Sequence, residues 1–203
     1  RTIFEYRMDV LMQKNILTEQ QNPDTADIDL ADTSRILTLI NNEDHKVADA
    51  VQKALLEIAA AVDIIADALY QGGRLAYFGA GTSGRLGILD AAECLPTFSV
   101  PPQMVQGYIA GGDKALRQAV ESAEDSREFA LADIAAFAPQ DEDVVVGISA
   151  SGNPAYVLAV LEEARRRGAK TIGITCNPEA KLKPLCDVCI IAVVGPEVIT
   201  GSS

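Results

Sequence analysis

The 203-residue chain carries 17 basic against 29 acidic residues, a net charge of −12, and 48% of its residues are hydrophobic. That apolar content lets one domain of ordinary size bury a core without disulfide staples, while the charge repels polyanions and leaves no Lys/Arg stripe for nucleic acid. The four cysteines, Cys94, Cys176, Cys186 and Cys189, follow no secreted spacing, and apolar runs such as Ile190 to Val194 fall far below the roughly 20 residues of a membrane helix. A cytoplasmic chain with reduced thiols and no membrane or nucleic-acid partner is the expectation.

In chain order, Arg1 to Asn15 receive no role, and the segment from Thr18 through Asn22-Pro23-Asp24 reads as a polar turn. Asp32-Thr33-Ser34 offers N-caps for a helix through Ile36, Leu37, Leu39 and Ile40. Apolar residues then recur at Val47, Val51, Leu55, Ile58, Val62, Ile65 and Leu69, predicting one long amphipathic helix with a core-facing stripe that ends at Gly72-Gly73. Strands are predicted at Leu75–Phe78, Met104–Ile109, Val144–Ile148, Thr171–Thr175 and Val188–Val194. Helices are predicted between them at Ser83–Glu93, Lys114–Val120, Ser126–Phe137 and Ala155–Arg167. Such alternation predicts an α/β fold with a five-stranded parallel sheet covered by helices on both faces.

In open parallel sheets the ligand crevice lies beyond the carboxyl ends of the strands. After the first strand comes Gly79-Ala80-Gly81-Thr82-Ser83-Gly84, whose glycines let backbone amides approach an anion at the start of the next helix. The same run fits the dinucleotide pattern G-x-G-x-x-G, with Asp113 as a ribose acceptor, and it also fits a tight turn that binds nothing. The third strand ends in Ser149-Ala150-Ser151-Gly152-Asn153, which offers two hydroxyls and an amide at the same sheet edge. Ser151 or Asn153 could alternatively cap the next helix. Two hydroxyl-rich loops favour a compact phosphomonoester over a dinucleotide, so the candidate binding residues are Gly81, Thr82, Ser83, Gly84, Ser149, Ser151, Gly152 and Asn153.

The run from Gly79 to Asp90, with Ala91-Ala92-Glu93-Cys94 and Pro96-Thr97, resembles the signature of the N-acetylmuramic acid 6-phosphate etherase family. Further matches are Asn22-Pro23, Asn42-Glu43-Asp44, Ile109-Ala110-Gly111-Gly112, Glu121 to Ser126 and Gly195 to Ser203. The resemblance implies a three-layer α/β/α sandwich of the sugar isomerase (SIS), flavodoxin-like type. It divides the chain into an N-terminal helical extension, 1–45, and a sugar-phosphate-binding domain, 46–203, in a longer protein that continues into further helices. It implies a homodimer with shared sites and no metal or organic cofactor. One departure is plain: the family's second loop reads Ser-Gly-Arg-Thr-Pro-Tyr-Val, whereas here Ser151-Gly152-Asn153-Pro154-Ala155-Tyr156-Val157 lacks the arginine and the threonine.

The activity implied is cleavage of the D-lactyl ether of N-acetylmuramic acid 6-phosphate to N-acetylglucosamine 6-phosphate and D-lactate. Proton removal from carbon 2, lactate elimination from carbon 3 and addition of water need one general base and one general acid. The family motifs put these on Glu124 and Glu93 respectively. Independently, Glu93 falls near a helix end that Pro96 should stop, three residues after Asp90, where dipole and like charge favour a protonated carboxyl. Local sequence alone reads Glu124 as part of a solvated acidic turn. Competing readings are a non-catalytic sugar-phosphate regulator, like the related glucokinase regulatory protein, and an aldose-ketose phosphosugar isomerase. Cys186-Asp187-Val188-Cys189 matches C-x-x-C, but on a strand these two thiols would face opposite sides and no second pair completes a zinc site. The lone His45 supplies no histidine cluster.

Overall fold

The computed structural model describes residues 16–200, so the unassigned Arg1 to Asn15 lie outside the described residues. Five strands, β1 (Leu75–Gly79), β2 (Val105–Ile109), β3 (Val144–Ile148), β4 (Lys170–Thr175) and β5 (Val188–Ile191), form one sheet in the order β2-β1-β3-β4-β5. Every neighbouring pair is parallel, with Leu75 in register with Val105 on one side and Val144 on the other. The predicted strands are all present, and the last stops at Ile191 rather than Val194.

Among the described residues, six α-helices accompany the sheet: α1 (Thr33–Lys53), α2 (Leu55–Tyr70), α3 (Gly81–Phe98), α4 (Gly112–Arg117), α5 (Arg127–Phe137) and α6 (Ala155–Arg166). Strand alternation divides the core between two faces. Ala76, Phe78 and Val145 pack with Ile134 and Phe137 of α5 and with Tyr156, Val160 and Leu161 of α6. Leu75, Val144, Val146 and Ile172 point the other way, against Ala61, Ala68 and Ile65 of α2 and Ala91 of α3. The result is the expected three-layer sandwich.

The long predicted helix is instead two. Asp32 caps α1 by accepting from the Arg35 amide at 2.8 Å, and α1 runs unbroken through residues 45 and 46 to Lys53. Ala54 leaves helical geometry and α2 begins at Leu55. The stripe also faces elsewhere: Leu55 and Val62 are more than half exposed, while Ala54, Ala61 and Ala68 are buried. Alanines on this seam let the helix approach the sheet closely, which turns the larger side chains outward.

Pro96 does not stop α3 early. Its missing amide removes one helical bond, yet the helix continues to Phe98 and ends where Ser99 turns left-handed and donates its N–H to the Leu95 carbonyl at 2.9 Å. Glu93 therefore lies inside α3 rather than at its end. At the amino end of the sheet's central strand, Asp143 just before β3 accepts from the Arg74 amide at 2.7 Å, the Arg74 guanidinium and the Gln140 amide at 2.9 Å. Among the described residues, no helix is long and apolar enough to cross a membrane.

Candidate active site

The strand order places a switch point between β1 and β3: the chain leaves β1 toward β2 on one side, then returns to build β3, β4 and β5 on the other. Helices α3 and α6 lie on opposite faces of the sheet, and their amino ends both meet this gap. Neither is capped by a side chain, since Ala80 and Pro154 occupy the cap positions. The first-turn amides of each helix thus stay available to an anion. An open cleft of about 980 Å³ sits over the gap, and Gly81, Thr82, Ser83, Ser149, Ser151 and Asn153 all line it.

The two loops are built differently. Gly81 opens α3 with φ of +54°, a conformation that brings the following amides and the Thr82 and Ser83 hydroxyls to the cleft. Gly84 faces inward, because a Cβ there would lie 2.6 Å from the Gly79 carbonyl oxygen and 2.7 Å from Ile109. In the second loop the buried Ser149 accepts from the Gly152 amide at 3.0 Å, so its hydroxyl pins the turn while it lines the cleft. Gly152 packs on Ala180 behind the loop. Asn153 accepts from the Lys181 amide at 3.2 Å and Asn177 donates to the Ser151 carbonyl at 2.9 Å. Ser151 and Asn153 do not cap α6, so the capping alternative does not describe this loop.

The carboxylates separate sharply. Glu124 stands on a single 3-10 turn, Ala123–Asp125, entered through Ser122 at φ of +59°, and it lines the cleft. Partial desolvation, then the neighbouring charges of Asp125 and Glu19, raise its pKa above the usual carboxylate value. Glu93 is exposed and does not line this cleft. It lies twelve residues after Gly81 along α3, about 18 Å at the helical rise, one turn beyond the exposed Leu89.

Sequence reasoning missed part of the wall. Glu19 and Glu197 line the cleft with Glu124, and burial followed by the charge of Glu19 raises the Glu197 pKa. Three long-range hydrogen bonds bring these segments together: Asn22 to the Pro196 carbonyl at 3.4 Å, Thr25 to the Val198 carbonyl at 2.7 Å, and Thr200 to the Gln20 carbonyl at 3.4 Å. The visible signal in the sequence was the pair of family-motif matches at Asn22-Pro23 and Gly195 to Ser203. Cys176 also lines the cleft; burial, then Glu197, pushes its thiol up, which disfavours a nucleophilic thiolate.

The C-x-x-C expectation needs correction. Cys186 precedes β5 across a bend at Asp187, so both sulfurs converge on Gly173, where a Cβ would lie 2.7 Å from one and 3.4 Å from the other. Among the described residues no group of three or more His, Cys, Asp or Glu side chains is placed to hold a metal ion. His45 is exposed on α1.

A family profile described as the glucokinase regulatory protein N-terminal SIS domain matches residues 57–165. The chain is 53% identical over 190 residues to the N-acetylmuramic acid 6-phosphate etherase of Colwellia psychrerythraea, covering 94% of this chain and 62% of that protein. It is 53% identical to that of Jannaschia sp. over 188 residues, covering 93% and 60%. The chain thus spans about three fifths of the length of the curated relatives it matches. Among solved structures, phosphoheptose isomerase from Neisseria gonorrhoeae superposes with a TM-score of 0.62 at 20% identity, covering 78% of this chain and 84% of that one, which shows the shared fold. With this sheet order, the two loops at its switch point and a profile that matches more than half of its length, the chain belongs to the glucokinase regulatory protein N-terminal SIS domain family and is similar in sequence to the N-acetylmuramic acid 6-phosphate etherases.

Proposed function

We propose that the chain is the sugar-phosphate-binding part of an N-acetylmuramic acid 6-phosphate etherase, a cytoplasmic carbon-oxygen lyase that acts as a homodimer. The observation that carries this reading is the placement of Glu124, with a raised pKa, in the same cleft as two uncapped helix ends and the Thr82, Ser83 and Ser151 hydroxyls. The phosphate takes the amides and hydroxyls of the two loops, which satisfy an anion despite the acidic chain. Lacking the family's loop arginine, Asn153 presents only an amide there. Glu124 removes the carbon 2 proton of the opened sugar; a base with pKa above an ordinary carboxylate has more driving force for that transfer. The lactyl oxygen leaves carbon 3 with a proton from the acid, and water adds to the unsaturated aldehyde, so that one water is consumed for each D-lactate and N-acetylglucosamine 6-phosphate.

Glu93 is the acid in this reading, and it serves the cleft of the second copy. It stands outside this cleft on α3, whose exposed Leu89, Leu95 and Phe98 leave apolar surface that a second subunit would cover.

The test follows lactate release and carbon 2 hydrogen exchange in deuterated water with the complete protein. Glu93→Gln should keep exchange and lose lactate release, whereas Glu124→Gln should lose both, each by roughly 10² to 10⁴-fold. Mixing the two inactive variants should restore up to about a quarter of the sites if Glu93 acts across the dimer, by random subunit pairing. Binding of the sugar phosphate with no lactate release by the wild type would favour the non-catalytic regulator, and a ketose product would favour the isomerase.

A further inference from the structure

Among the described residues, the charged side chains lining the cleft are Glu19, Glu121, Glu124, Asp125 and Glu197 against a single cation, Arg85. Arg85 lies on α3 four residues after Gly81, about 6 Å farther along the helix, and so on the same side as the anion-binding loop. Its Nε donates to the Leu116 carbonyl at 3.2 Å, which fixes the plane of the guanidinium against the end of α4. The ion pairs among the described residues involve Arg74, Arg127, Arg166, Arg167 and Lys46, and none involves Arg85. A half-buried guanidinium that makes one side-chain hydrogen bond among the described residues, in so acidic a chain, is placed to meet an anion from outside.

Under the etherase reading, on which this inference rests, the ligand carries two anionic groups. The phosphate is served by the amides and hydroxyls at the ends of β1 and β3. The second is the carboxylate of the lactyl group on carbon 3, next to the carbon whose proton Glu124 removes. It must therefore lie near Glu124, on a wall where Glu19, Asp125 and Glu197 would repel it. The segment from Leu116 to Glu124 connects the guanidinium's anchor directly to that base. We propose that Arg85 receives the lactyl carboxylate, and that it thereby selects an ether-linked acid over sugar phosphates without one. The planar fork suits a carboxylate in two parallel N–H···O bonds, and it holds the departing group while the carbon-oxygen bond breaks.

The experiment compares Arg85→Met with the wild type in the complete protein, methionine keeping the aliphatic packing of the stem. N-acetylmuramic acid 6-phosphate and N-acetylglucosamine 6-phosphate differ by the lactyl group and serve as the two probes. Arg85→Met should lower kcat/KM for lactate release by roughly 10- to 100-fold while leaving the affinity for N-acetylglucosamine 6-phosphate within about twofold. Arg85→Lys should recover part of the loss, because it restores charge without the fork. Equal weakening of both ligands would make Arg85 a phosphate ligand and overturn the proposal, as would an unchanged kcat/KM. A wild type that releases no lactate would instead remove the etherase reading, so the two failures are distinguishable.

Discussion

Gly84 is where packing and ligand binding meet, so Gly84→Ala probes both. The new Cβ would lie 2.6 Å from the Gly79 carbonyl oxygen, 2.7 Å from Ile109 and 3.0 Å from the Gly79 carbonyl carbon. Two of these three atoms belong to the backbone of β1, which is held between β2 and β3 and cannot yield as a side-chain tip would. The start of α3 must therefore move away from the sheet by on the order of half to one ångström to reach ordinary contact. Overpacking of this kind costs about 1 to 3 kcal/mol of stability, and displacement of the loop amides by up to about 1 Å can cost as much as 10²-fold in turnover. Urea denaturation, calorimetric titration with N-acetylglucosamine 6-phosphate and lactate release measure the three effects. A variant with wild-type stability and wild-type phosphate affinity would refute the claim that α3 is seated on Gly79 at this distance.

Asp143→Ala should destabilise the fold by about 1 to 3 kcal/mol in chemical denaturation, because it leaves the Arg74 and Gln140 amides without their acceptor, while the half-exposed Arg74 guanidinium keeps the Phe137 and Ala138 carbonyls. Burial pushes the Asp143 pKa up, but the Arg74 hydrogen bonds and the Gln140 amide together bring it below the usual value. This stabilisation is therefore present above the unfolded-state pKa and is lost as pH falls through the folded one, so the wild type should lose more stability in acid than Asp143→Ala does. Glu19→Gln removes one charge that raises the Glu124 pKa, so the acid limb of the kcat/KM profile should move to lower pH; an unmoved limb would show that Glu19 does not act on the base. Ser83→Ala and Ser151→Ala should each weaken sugar-phosphate binding by about 1.5 to 3 kcal/mol, and unchanged affinity by calorimetry in both would reject the placement of the phosphate.

The sheet was legible because its strands are short apolar runs bounded by glycine and polar turns, and parallel pairing follows from the helices between them. The helix pattern over Val47 to Leu69 misled for a physical reason: periodicity reports that one side of a helix is apolar, not which side meets the core. Here alanines made the close contact and the larger residues were left facing out. The phosphate loops were readable because glycine and hydroxyl residues cluster after a strand. The remainder of the cleft was not, since Glu19 and Glu197 are 178 positions apart and only the chain's path brings them together. Glu93 shows the converse, a residue singled out by its motif whose position on α3 gives it no place in the cleft.

The tie between the Asn22–Thr25 turn and residues 196–198 spans 173 and 174 positions of sequence. Contacts of such separation form late, because closing the chain costs entropy before any contact repays it. On a ribosome, the sheet and both anion-binding loops can assemble while the wall carrying Glu19 and Glu197 is still missing. The cleft should thus acquire its phosphate affinity before it acquires the full acidity control of Glu124. In refolding experiments, sugar-phosphate binding should recover ahead of the native proximity of fluorescent labels at residues 25 and 198, and recovery in the reverse order would exclude this sequence of assembly.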